Sequence, residues 1–172
     1  MPAFAKPKRM LTKKERRKVL KGKVFGITLS DGQQLLCHVE TPFTANSFAK
    51  LVRQRIRPFM QKAFTDRVHK RLLLDGEPLL HAPVAVEALA EFGISALPGW
   101  PGYSPDLNPQ ENVWPWLEKK VRKQECYTDT FGVFKSRLTR LSKLFPNPEK
   151  LIRSMAERTA ECKRRLGAMT GF

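Results

Sequence analysis

Two acids stand where a fold could bring them together. Asp75 follows the apolar run Leu72-Leu73-Leu74, which reads as a buried central strand. Glu111 falls thirty-six residues further on, in the first turn of a helix opened by Asn108-Pro109. If strand and helix pack side by side, two carboxylates meet at a sheet edge, which is how a divalent-metal site for phosphodiester chemistry is built. His81, six residues past Asp75, is a third candidate. Each has a plainer reading as well. Asp75 suits a turn, Glu111 is stabilised by the helix N-terminus, and His81 suits the start of a helix.

The elements around these residues alternate in type. Lys23 to Ser30 is rich in apolar and β-branched residues, Asp31-Gly32 signals a two-residue hairpin, and 33–40 returns as a second strand. Thr44 can cap a helix with Phe48, Leu51, Val52, Ile56 and Phe59 on one stripe, leaving Arg53, Arg55 and Arg57 on the basic side. After Asp75, residues 82–92 form a helix with Pro83 in its first turn and Val86, Leu89 and Ala90 inward, and residues 94–97 form a short parallel strand. Pro115 should end or kink the helix that begins near Glu111. Trp100, Trp114 and Trp116 read as core and loop anchors rather than base-stacking platforms. Thr128 opens a helix carrying Phe131, Phe134, Leu138, Leu141 and Phe145. Asn147 caps a last one carrying Leu151, Ile152, Met155, Thr159, Cys162 and Leu166, and the two make a helical hairpin.

Charge points to a polyanion. The 172 residues carry 32 Lys and Arg against 16 acids, a net of +16. Residues 1–23 hold ten Lys and Arg against Glu15 alone, a net of +9, with too few apolar residues for a buried face. This arm is expected to neutralise phosphates through Lys8, Arg9, Lys13, Lys14, Arg16, Arg17 and Lys18; a solvated tail or a targeting segment are the alternatives. Arg53, Arg57, Lys119, Lys120 and Arg122 extend the basic surface. The C-terminal helices add Arg137, Arg140, Lys143, Arg153, Arg158, Lys163, Arg164 and Arg165. Membrane association finds no support in any run of eighteen or more apolar residues, and nothing points to a small-molecule substrate. Cys37, Cys126 and Cys162 are odd in number and far apart, which fits buried thiols in a reducing compartment rather than a disulfide framework or a zinc site.

The central stretch resembles the DDE superfamily of endonucleases, specifically the catalytic domain of Tc1/mariner-like transposases. Asp75-Gly76-Glu77-Pro78-Leu79-Leu80-His81 is similar to the family's acid, small residue, Pro and His, with Gly76 where Asn is common. Residues 100–114, WPGYSPDLNPQENVW, match the family's Trp-Pro, Tyr-Ser-Pro-Asp-Leu-Asn-Pro, acid, Trp block nearly throughout. Weaker similarity reaches back to about Lys23. The resemblance implies an α/β fold, an RNase H-like mixed sheet flanked by helices, followed by the C-terminal helical hairpin. It implies Asp75 as second catalytic acid and Glu111 as third, with Mg²⁺ or Mn²⁺ as cofactor if the site is active. The expected organisation is a basic arm over 1–22, an RNase H-like domain lacking its first strand over 23–125, and a hairpin extension over 126–172.

The family's first acid has no evident counterpart, since Glu15 sits among basic residues and Asp31 in a turn. The expectation is therefore a transposase-derived nucleic-acid-binding protein that has lost catalysis, a structural subunit of a ribonucleoprotein in the nucleus or mitochondrion, needing no cofactor. The alternative is an active metal-dependent transposase or endonuclease that takes its first acid from elsewhere. RNA and DNA are both open as partners.

Overall fold

The computed structural model describes residues 23–65, 70–102, 104–124 and 130–172, the side chains of 122–124 excepted. The basic arm over 1–22 lies outside them, as do Thr128 and Cys126. Strand β1 (Lys23–Thr28) pairs antiparallel with β2 (Gln34–Val39), Lys23 opposite Val39 and Thr28 opposite Gln34. Helix α1 (Ala45–Leu51) runs through a π-helical turn, Val52–Ile56, into α2 (Arg57–Ala63). Strand β3 (Lys70–Leu72) leads to a 3₁₀ turn, Pro78–Leu80, helix α3 (Pro83–Ala90) and strand β4 (Ile94–Ala96). Helices α4 (Gln110–Gln124), α5 (Phe131–Leu141) and α6 (Pro148–Arg164) complete the order. β4 lies parallel to β3, Lys70 against Ile94 and Leu72 against Ala96.

The β1–β2 hairpin separates two apolar clusters, and the period of a strand decides which side chain joins which. Ile27 and Leu29 pack with Phe48, Val52, Ile56, Leu72, Leu74, Ala88 and Leu89, with Phe25 and Leu35 against them. Val24 and Leu36 face the other way, onto Val113, Leu117, Leu138 and Leu141. One cluster holds β3, α1 and α3 to the hairpin; the other holds α4 and α5.

Antiparallel and parallel pairing are both present, yet the described strands form two separate two-stranded ladders rather than one mixed sheet. Several local expectations change. The hairpin is wider than a two-residue turn: Leu29 N–H donates to the Gln33 carbonyl at 2.8 Å, and Asp31 Oδ1 accepts from Gln33 N–H at 2.9 Å. Gly32, at φ +85°, supplies the left-handed residue this loop needs. Val86 is 49% exposed, and Ala85 and Ala88 take the inward places on α3 because small side chains allow close approach to α1. Pro115 lies within α4 without ending it, and it removes the amide that would serve the Glu111 carbonyl. Thr130 caps α5, its Oγ accepting from Val133 N–H at 3.3 Å. Asn147 stands at the N-cap of α6, but at φ 49°, with no side-chain cap bond. Leu166 lies beyond the helix and is exposed.

Candidate carboxylate site and basic surface

Parallel pairing fixes the position of Asp75. Leu97 N–H donates to the Leu72 carbonyl at 2.9 Å, the last bond of the ladder, and the chain leaves the sheet to place Asp75 three residues later. Its Oδ1 accepts from Gly76 N–H at 2.8 Å. His81 Nε2 lies 2.8 Å from the Asp75 carbonyl oxygen. A carbonyl can only accept, so Nε2 carries the proton. His81 therefore steadies the turn around Asp75 through its backbone rather than through its carboxylate.

Glu111 arrives from the other side. Asn108 Oδ1 accepts from Gln110 N–H at 3.0 Å, which caps the helix start as its Asn-Pro pair suggests. Gln110 is held in turn by Thr28, whose hydroxyl donates to Gln110 Oε1 at 2.9 Å. Gly26 makes this contact possible: a Cβ there would lie 2.5 Å from Gln110 Nε2 and 2.6 Å from Trp114 Cη2. The Trp114 ring N–H donates to the Glu111 carboxylate. Burial pushes the Glu111 carboxyl above its usual range, the negative charge of Asp75 adds to this, and the Trp114 hydrogen bond partly offsets both.

Asp75 and Glu111 thus feel one another across a shared cavity of about 440 Å³, which they line together with Glu77. Two carboxylates lining one cavity could hold one hard divalent cation such as Mg²⁺ or Mn²⁺, with water filling the other positions. They do not supply the bridging third ligand of a two-ion site, and no group of three His, Cys, Asp or Glu able to hold a metal occurs among the described residues. The sequence did not reveal the part that Gly26, Thr28, Gln110 and Trp114 play beside Glu111. Only the glycine inside an otherwise apolar strand hinted at a close approach.

The candidate phosphate contacts divide. Arg53 donates to both carboxylate oxygens of Glu91, Nε to Oε2 at 2.9 Å, and the Arg57 guanidinium lies 4.4 Å from the Phe92 ring centroid, so both serve the contact between the long helix and the end of α3. Lys119 and Lys120 are exposed on α4, with Lys120 Nζ 5.9 Å from the Trp116 ring centroid. The side chain of Arg122 and the whole of Lys8, Arg9, Lys13, Lys14, Arg16, Arg17 and Lys18 lie outside the described residues.

Arg158 leaves the basic surface altogether. It is 3% exposed and donates to the Asp106 carbonyl at 2.7 Å, Asn112 Oδ1 at 2.7 Å and Ser154 Oγ at 3.0 Å. Asp106 Oδ2 accepts from Thr170 N–H at 2.7 Å and from Thr170 Oγ at 2.9 Å. Loop 104–108, which launches the Glu111 helix, is therefore tied down by the C-terminal residues. No helix among the described residues is long and apolar enough to cross a membrane.

Comparison with known proteins agrees with this geometry. A family model described as DDE superfamily endonuclease matches residues 3–131. The fold is similar to a crystal structure of the catalytic domain of Mos1 mariner transposase, at 20% identity and TM-score 0.58, covering 85% of this chain and 80% of that one. Structures of the Mos1 catalytic domain with raltegravir and Mg, and with raltegravir and Mn, give 22% and 18% identity and TM-scores of 0.57 and 0.61; each covers 85% of this chain, and 82% and 81% of theirs. No curated protein sequence matches the chain.

Proposed function

The chain belongs to the DDE superfamily endonucleases and has the RNase H-like fold of a mariner transposase catalytic domain; from that premise we propose that it binds the phosphate backbone of nucleic acid without cutting it unaided. The observation that carries this reading is the conjunction of a +16 net charge with two coupled carboxylates and, among the described residues, no group of three His, Cys, Asp or Glu able to hold a metal. A positive excess of this size is matched by a polyphosphate backbone, which it would grip through charge and shape rather than base edges. Asp75 and Glu111 would take one divalent ion, which would supply charge neutralisation to a nearby phosphate. Such a protein suits a structural place in a ribonucleoprotein, in the nucleus or mitochondrion.

Binding to a labelled 30-base-pair DNA and to an RNA hairpin, followed from 50 to 200 mM salt, tests the first part. Six or more phosphate contacts predict an affinity loss of about a thousandfold or greater. A flat salt profile would refute it. A nicking assay with Mg²⁺ or Mn²⁺ tests the second part, with no cleavage expected. The coupling of Asp75 to Glu111 favours the competing reading of a metal-dependent endonuclease, and cleavage lost in both Asp75→Ala and Glu111→Ala would establish it. Recovery of one defined RNA with the protein from cells, and a fluorescent fusion for its compartment, test the placement.

A further inference from the structure

The segment that delivers Glu111 has long local bonds. Pro105 and Pro109 have no amide to donate. Leu107 and Asn108 N–H reach the Ser104 carbonyl at 3.2 Å, Glu111 N–H reaches Asn108 at 3.1 Å, and Asn112 N–H reaches Pro109 at 3.2 Å. These lie at the long end of the usual range. Such a stretch takes its position largely from what grips it.

Arg158 grips it on both sides of Glu111. One guanidinium nitrogen donates to the Asp106 carbonyl at 2.7 Å, and another to Asn112 Oδ1 at 2.7 Å. The side chain that reaches them is 3% exposed. It is anchored on α6 by Ser154 Oγ at 3.0 Å, and the Phe172 ring centroid lies 5.0 Å from its central carbon. A planar fork of donors fixes the separation of two acceptors, which the single ammonium of a lysine would not. Thr170 adds a hold on the Asp106 carboxylate. Arg158 and Thr170 both lie beyond residue 131, where the match to the endonuclease family model ends. Ile152 and Met155 of the same helix line the cavity that Asp75 and Glu111 share.

We propose that Arg158 is a positioning residue for the carboxylate pair. By clamping the Asp106 carbonyl and the Asn112 side chain, it fixes where Glu111 stands relative to Asp75 and thereby sets the affinity for a divalent cation. The effect on the cation rests on the one-ion reading of Asp75 and Glu111; the hold on Glu111 does not. Groups that orient a metal-binding side chain typically change affinity by about 10–100-fold when removed.

The test uses the full chain and Mn²⁺ as probe, with bound ion measured by the loss of the free Mn²⁺ paramagnetic resonance signal. Arg158→Lys should weaken Mn²⁺ binding about tenfold or more. Asn112→Ala is the cleaner variant, since Asn112 is exposed and Arg158 keeps its other two bonds. It should weaken Mn²⁺ at least threefold and quicken hydrogen exchange at the amides of residues 111 and 112 at least fivefold, while the β2 ladder at 35–37 keeps the wild-type rate. Thr44→Ala, which loosens a cap on α1, controls for stability alone and should change Mn²⁺ affinity less than twofold. Unchanged exchange at 111 and 112 in Asn112→Ala would overturn the clamp. Quickened exchange with unchanged Mn²⁺ affinity would overturn its control of the cation, and so would an equal loss in Thr44→Ala. If the wild-type chain takes up no Mn²⁺, the one-ion reading falls, and exchange alone decides: faster rates at 111 and 112 uphold the clamp, wild-type rates refute it.

Discussion

Replacing Arg158 with Leu should damage stability and spare nucleic-acid binding, the reverse of what its place among the C-terminal basic residues suggests. Its guanidinium makes three hydrogen bonds from a buried position, to the Asp106 carbonyl, Asn112 Oδ1 and Ser154 Oγ. A hydrogen bond to a charged group contributes about 1.5–3 kcal/mol, and an orphaned buried acceptor costs about 1–3 kcal/mol. Ser154 retains its own bond, donating to the Leu151 carbonyl at 2.7 Å, and Asn112 is exposed, so the Asp106 carbonyl is the buried acceptor that is orphaned. The apolar contact made by Leu offsets part of the loss. Removing one side of a buried charged cluster costs about 3–5 kcal/mol in comparable settings, and the lower half of that range is expected here. For a chain of 172 residues this corresponds to a fall in Tm of about 6–16 °C, at roughly 2–4 °C per kcal/mol. Urea unfolding, with an unchanged m-value, measures it. Arg153, on the same helix but 83% exposed and only 3.6 Å from Glu149, is the control: Arg153→Ala should change stability by no more than about 0.5 kcal/mol and weaken phosphate binding slightly. A loss under about 1 kcal/mol in Arg158→Leu, or a larger effect on DNA binding than that of Arg153→Ala, would contradict the burial argument.

Asp75→Asn should bring the Glu111 carboxyl down toward its ordinary range, because a like charge is removed; a carbon-13 NMR titration of Glu111 that does not move would break the link between the two acids. A carboxyl raised on folding favours the folded state at low pH and forfeits that contribution as pH climbs through the folded pKa, so Glu111→Gln should flatten the stability–pH curve above the usual glutamate range. Asp106 runs the opposite way: the Thr170 amide and hydroxyl hold its carboxyl low, so its contribution is present above the ordinary aspartate pKa and fades as pH falls through the depressed one. Asp106→Asn should therefore lose part of the acid sensitivity of unfolding. Gly26→Ala would place a methyl 2.5–2.6 Å from Gln110 and Trp114, costing about 1–3 kcal/mol and shifting tryptophan emission; unchanged emission and stability would mean that the strand–helix approach is looser than described. Thr44→Ala should cost about 1 kcal/mol by removing the 3.2 Å bond from Ser47 N–H, as read by thermal unfolding.

The residues that pair locally were the ones legible in the sequence. Thr44 as a cap and the parallel return at Ile94 follow from period, capping and short connections, while the meeting of Asp75 and Glu111 on one cavity was expected from the family resemblance. What escaped depends on partners far along the chain. Arg158 looks like any other cation of an amphipathic helix, because its acceptors at Asp106 and Asn112 lie 52 and 46 residues away. Val86 outranks Ala85 and Ala88 in hydrophobicity, yet it is the two alanines, with Leu89, that are buried on α3. The split of the strands into two ladders was equally hidden, since no single strand's pattern states which neighbour lies on its second edge.

The bond between Thr170 and Asp106 closes a span of 64 residues. On a ribosome the loop that aims Glu111 is therefore made long before the groups that fasten it. Until the final helix has emerged, the loop before Glu111 lacks its ties to Arg158 and Thr170 and is held from a distance by the bond of Thr28 to Gln110, while the Asp75 turn already has His81 six residues on. The surroundings of the two acids are thus completed at different times during synthesis, and a nascent chain halted before Thr170 would carry Asp75 in a finished turn and Glu111 behind a loop still missing its last fastening.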